Sequence, residues 1–127
     1  MILSTDNTYI EILDKKGAGN VNHEYRVRKT QVDVSTLHDV ELGYGDTNDI
    51  LTTISFQNGP IKENGVNGIQ NEDLLKIVQN RLEGFQSGDF ACLENQIALD
   101  NIKSAIAILE YRTKERKKRN IEGKNIK

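Results

Sequence analysis

The sequence has one cysteine, one proline, one methionine and no tryptophan among its 127 residues. A single thiol, Cys92, excludes an intrachain disulfide, and neither two-Cys nor Cys/His spacing for a structural metal is present. No histidine lies near Cys92 in sequence, so half-buried packing is expected of it rather than reactivity. Long apolar runs are missing too. Nothing approaches the roughly 18 consecutive apolar residues of a membrane span, and the opening MILSTDNTYI lacks the basic flank and apolar stretch of a leader. A cytosolic protein is the expectation, with no membrane partner. Gly17 and Gly19 are followed by no third glycine and no helical pattern, so they form no dinucleotide fingerprint. No cofactor and no metal are expected.

What is present is ordinary globular material: 36% hydrophobic and 28% charged residues, at a length that suits one compact domain. The net charge of −2 conceals an asymmetry. From Arg112 onward eight Lys/Arg (Arg112, Lys114, Arg116, Lys117, Lys118, Arg119, Lys124, Lys127) face only Glu115 and Glu122, a balance of +6 that leaves −8 on residues 1–111. Positive charge confined to one helix end and a tail favours a compact anionic ligand over long DNA or RNA. Cations complementing a helix C-terminus would account for part of the same pattern.

The hydrophobic pattern divides the chain. Residues 1–57 alternate as antiparallel strands do: Tyr9, Ile10, Ile12 and Leu13 run into the turn-forming KKGAGN, and Tyr25 and Val27 resume beyond it. Val32, Val34, Leu37, Val40 and Leu42 suggest further strand or irregular edge, Gly43, Gly45 and Asp46 a turn, and Leu51, Ile54 and Phe56 another strand. Residues 58–70, rich in Gly and Asn, read as a connecting loop with little regular structure. Residues 71–127 read as an antiparallel helical hairpin with a basic C-terminal tail. Asn71 is the expected N-cap of the first helix, whose apolar positions are Leu74, Leu75, Val78, Leu82 and Phe85, and the second helix is placed at about residues 92–118. The expected fold class is α+β: a small N-terminal antiparallel sheet, then a two-helix hairpin.

At about 100° per residue, Ile102, Ile106 and Leu109 fall close to the line of Asn95 on the second helix. Asn95 is thus a polar residue on an apolar face. Arg112 and Arg116 follow along its edge as i, i+4 neighbours, while Lys118 points outward. Two like charges so placed repel each other, and an anion between them would relieve this. The functional reading is a clamp in which two guanidiniums grip a pyrophosphate, Phe85 offers its ring to a base, and Asn95 adds amide hydrogen bonds. The alternatives are that Phe85 is hairpin core, that Asn95 caps or bridges helices, and that the arginines pair with Glu110 or Glu115.

The stretch FQNGPIKENGVNGIQNEDLLKIVQNRLEGFQSGDFACLEN, then ILEYRTKERKKRNIEG, resembles the phage Thoeris anti-defence proteins of the first type, whose helical hairpin is shared with anti-CBASS sponges. The start, TYIEILDKKGAGNVNHEY, resembles that family's first hairpin. The resemblance implies a non-enzymatic sponge that binds and sequesters cyclised ADP-ribose signals made by TIR-domain immune enzymes, working in the cytoplasm of the infected bacterium. It implies a base-stacking role for Phe85, a polar contact for Asn95 and phosphate binding by Arg112 and Arg116. It further implies a homo-oligomer, a dimer that builds to a hexamer, and a second kind of site for cyclic di- or trinucleotides. Two positions depart from the family pattern. Leu93 stands where many members have Arg, and the tail reads Arg119, Asn120, Ile121, Glu122, Gly123, Lys124 in place of Arg-Gly-Val-Glu-Gly-Thr. An enzyme degrading the same signal, and a basic hairpin binding nucleic acid or protein, are the competing readings. Against the enzyme stands the placement of His23 and His38 in the strand-rich half, far in sequence from the arginines.

Overall fold

The computed structural model describes residues 2–30 and 49–119. The chain divides into two compact units, Met1–Asn58 and Gly59–Lys127. The strand and turn expected between Val32 and Asp46 lie outside the described residues, as does the tail beyond Arg119.

Among the described residues the first unit is a four-stranded antiparallel sheet in sequence order, β1 (Ile2–Ser4), β2 (Thr8–Ile12), β3 (Glu24–Lys29) and β4 (Ile50–Ser55). Register pairs Ile10 with Val27 and Ile12 with Tyr25, and Tyr25 in turn with Ile54. Period-2 alternation therefore gathers these side chains on one face and sends Tyr9, Glu11, Arg26 and Arg28 to the other. On the first face Tyr25 meets Phe56 edge-on, with ring centroids 5.6 Å apart. A register shift between Val27 and Arg28 leaves Leu51 as an extra residue in β4, half exposed.

Between β2 and β3 the chain makes one turn of 3-10 helix, Ala18–Asn20, with positive φ at Gly19 (77°) and Asn20 (63°), the two residue types that adopt such angles most readily. Asp14 fastens this connection. Its carboxylate accepts the backbone N–H groups of His23 (3.0 and 3.1 Å) and Glu24 (3.2 Å), and its carbonyl accepts from the Asn22 side chain at 2.8 Å. Burial works to raise the Asp14 pKa, but the hydrogen bonds from Glu24 and His23 outweigh it and hold the carboxyl below its usual value.

The second unit opens with Gly59, whose φ of 85° suits glycine; a Cβ there would lie 2.6 Å from the Asn64 amide nitrogen. The loop expected over 58–70 contains a single helical turn, α1 (Ile61–Asn64), which Pro60 precedes and Gly65 closes through its N–H to the Ile61 carbonyl. Then come α2 (Asn71–Gln86) and α3 (Leu93–Lys118), the expected hairpin. The N-cap of α2 is Gln70 rather than Asn71, because the Asp73 carboxylate reaches back to the Gln70 N–H at 2.8 Å.

Hydrogen bonds from one amide tie the turn between α2 and α3. Gln86 donates to the Cys92 carbonyl (3.0 Å) and accepts from its N–H (2.9 Å). Cys92 is the N-cap of α3 and is exposed, not half-buried, since a residue holding the helix entrance with its Sγ stands outside the hairpin core. On α3, Leu99 and Ile106 are buried seven residues apart, with Ile102 and Leu109 half-buried alongside. Lys76 on α2 pairs with Glu110 on α3 at 3.3 Å, setting the antiparallel register at the other end.

Candidate functional site

Phe85 sits on the last turn of α2, and its ring is 39% exposed, so it is not hairpin core. Phe90, in the turn, stands at 83° to it with centroids 6.3 Å apart, and the two rings form a corner. Phe90 itself is 75% exposed, far beyond what packing within the chain would leave. Asn95 is half-buried on the first turns of α3 and donates from Nδ2 to the Phe90 carbonyl at 3.3 Å. Its amide thus braces the corner, while Oδ1 stays available as an acceptor. Phe85 and Asn95 are brought to one end of the hairpin, as expected.

The arginines are at the other end. Asn95 and Arg112 both lie on α3, and at about 1.5 Å per residue their separation is roughly 25 Å. Gln86 contacts Gln96 across the hairpin, whereas Lys76 contacts Glu110, so Arg112 lies beside the start of α2 and Phe85 at its end. One chain does not bring the four residues into one pocket. Arg112 is exposed, and its guanidinium makes no hydrogen bond or ion pair among the described residues; Arg116, one turn on, is half-buried. The acids that could have neutralised Arg112 are engaged elsewhere, Glu110 with Lys76 and Glu115 with Lys118 at 3.6 Å. Lys118, three-quarters exposed, points outward as expected.

A feature that spacing alone did not single out is a second apolar stripe on α3. Leu93, Ile97, Ile108 and Tyr111 fall within about 60° of one another around the helix, on the far side from Leu99 and Ile106, and all four are more than half exposed. A helix with apolar residues on opposite faces is made to be covered on both, and α2 covers one. The signal was in the sequence as two interleaved periodicities, of which the one containing Asn95 masked the other. Of the two histidines weighed for the enzyme reading, His23 is 3% exposed just before β3 and lies 3.6 Å from Asp14, where it serves the fold; His38 lies outside the described residues.

Fold and site define a class: an α+β chain whose helical hairpin presents an aromatic corner at one end and an arginine pair at the other. The family model described as Acb2/Tad1, hairpin domain, matches residues 48–114, more than half of the chain, and the chain belongs to that family. It is also similar to the protein named Thoeris anti-defense 1 of Bacillus phage SBSphiJ7, with 44% identity over 77 residues, 61% of this chain and 54% of that relative. The match spans about half the length of the relative. The resemblance to Thoeris anti-defence proteins carried by the hairpin motifs agrees with both.

Proposed function

We propose that this chain is a phage immune-evasion protein that binds cyclised ADP-ribose signals and holds them intact, so that they never reach the effector of the bacterial Thoeris defence. The observation that carries the reading is the unneutralised Arg112 beside Arg116, at one end of a hairpin whose other end offers an exposed aromatic corner. Cyclised ADP-ribose presents the complementary pair, an aromatic base and a pyrophosphate.

The roughly 25 Å between the two ends exceeds the span of such a ligand, so each pocket takes its base-binding end from one chain and its arginines from a second. A twofold pairing of hairpins through the stripe of Leu93, Ile97, Ile108 and Tyr111 sets the two ends side by side twice over. Phe85 then stacks on the base, Asn95 Oδ1 accepts from an exocyclic amine, and Arg112 and Arg116 of the second chain hold the pyrophosphate. The protein works as a homo-oligomer in the host cytoplasm, dissolved rather than bound to membrane or long nucleic acid.

Three measurements test this. Ligand mixed with the protein and released by heat should return chemically unchanged; accumulation of ADP-ribose with time would make the protein an enzyme. Titration with cyclised ADP-ribose isomers beside cyclic di- and trinucleotides should show binding of the first class, and no binding would end the proposal. Phe85→Ala and Arg112→Ala should each bind roughly ten- to a hundredfold more weakly, yet a mixture of the two should recover sites of parental affinity, because the mixed pair holds one pocket with both parts intact. A mixture as inactive as its components would place the whole pocket within one chain.

A further inference from the structure

Arg81 lies one turn before Phe85 on α2, and its guanidinium carbon is 5.6 Å from the centre of the Phe85 ring. It is exposed, and among the described residues its N–H donors have no acceptor and its charge no acidic partner. A surface arginine on a helix ordinarily takes an acidic neighbour one turn away, but the residues at those distances from Arg81 are Ile77, Val78, Gly84 and Phe85. The guanidinium is therefore kept near an aromatic ring and kept unneutralised.

The distance itself is informative. A flat group stacked directly on the ring would lie at roughly 3.5–4 Å, and a base inserted between the two would require about 7 Å, two such contacts. At 5.6 Å the guanidinium is between those limits. It rises by a little over about 1 Å to admit a base, a small movement for a side chain with four rotatable bonds. Guanidinium is planar and weakly hydrated, and stacks on nucleobases as on aromatic rings. Phe90, at 83° to Phe85, stands as a side wall of the same space.

We propose that Arg81 is a base-binding residue that closes over the outer face of a nucleobase stacked on Phe85, making a guanidinium–base–phenyl sandwich. This rests on the proposed capture of cyclised ADP-ribose and adds to it the residue that selects for a flat, aromatic base at the Phe85 end of the pocket. A planar cap and a mere positive charge differ in what a lysine can replace. Lysine keeps the charge and loses the plane.

The experiment is calorimetric titration of the full chain and of Arg81→Ala and Arg81→Lys with cyclised ADP-ribose, with melting temperatures measured in parallel. The parent should bind, both variants should bind roughly five- to thirtyfold more weakly, and neither should melt lower, since Ala and Lys are good helix formers at an exposed position. Parent-like affinity of Arg81→Ala, or tighter binding because a competitor for the ring has gone, would overturn the sandwich while leaving signal capture intact. Parent-like affinity of Arg81→Lys would also overturn it, reducing Arg81 to a charge. A parent that binds no cyclised ADP-ribose would remove the function and Arg81's part in it together.

Discussion

The sheet and the hairpin bury opposite kinds of side chain. Among the described residues, those buried in the sheet unit are His23 and Arg28, and those buried in the hairpin are Leu99 and Ile106. Arg28 is matched by Glu11 across the strand, and that hydrogen bond raises its pKa against the opposing effect of burial. Buried side-chain polar atoms without hydrogen-bond partners nevertheless remain there, on His23, Arg26, Arg28 and Thr30, in β3 and just beyond its two ends. The hairpin does the reverse: among its described residues no buried side-chain polar atom lacks a partner, and its unmet demand is apolar surface, from Phe90 to Tyr111. Polar latches of fixed geometry specify one arrangement of a small sheet, whereas an uncovered apolar stripe specifies a surface to be used.

That contrast can be broken most forcefully within α3 itself. Ile106→Ala should cost about 2–5 kcal/mol of stability in chemical denaturation, because it opens a cavity in the face of α3 that α2 covers. A loss below about 1 kcal/mol would mean that the helices are held by something other than this core.

Next in size is the arginine pair. Arg112→Ala or Arg116→Ala should weaken binding of cyclised ADP-ribose by roughly 1.5–3 kcal/mol, the scale of hydrogen bonds to charged groups. Lys118→Ala, in its exposed pair with Glu115, should have little effect at physiological salt. The reverse pattern would move the anion site into the tail.

Ile108→Ser sharpens the comparison, being two residues from Ile106 and on the exposed side. It should leave the stability of the hairpin within about 0.5 kcal/mol but shift sedimentation toward monomer. An unchanged oligomer would show that this stripe is not where copies meet.

The smallest effect belongs to the sheet. Asp14 has a folded pKa below its unfolded one, so the stability it contributes is complete above the unfolded value of about 3.9 and is lost as pH falls through the folded value. Melting temperature measured from pH 6 down to pH 2 should therefore fall less steeply for Asp14→Asn than for the parent. Parallel curves would place the acid sensitivity elsewhere.

Much of this was legible before the fold was known. The β2–β3 hairpin, the β4 strand, both long helices to within a residue or so, and the apolar line of Ile102, Ile106 and Leu109 follow from periodicity. Other features were hidden by separation in the chain: Glu11 and Arg28 are 17 residues apart, Asp14 and His23 nine, and only strand register brings each pair together. The Gln70 cap escaped notice because Asn71, a better capping residue by type, stands next to it. The residues of the proposed pocket were placed by azimuth but not by length. Angular position around α3 put Asn95, Arg112 and Arg116 on neighbouring lines, and angle says nothing about distance along the axis. Counting rise as well as rotation would have separated them.

The distance between the aromatic corner and the arginines also has a consequence in mass action. In the proposed arrangement a pocket is completed by two chains and exists only in the associated fraction, so while chains are mostly single the number of working pockets grows as the square of the protein present, and afterwards in proportion to it. On the same proposal each captured signal molecule, bound to both halves, draws further chains out of the single state. In that arrangement the signal recruits its own absorber: the fraction of the protein assembled into pockets rises with the signal, up to the limit of one site per molecule held.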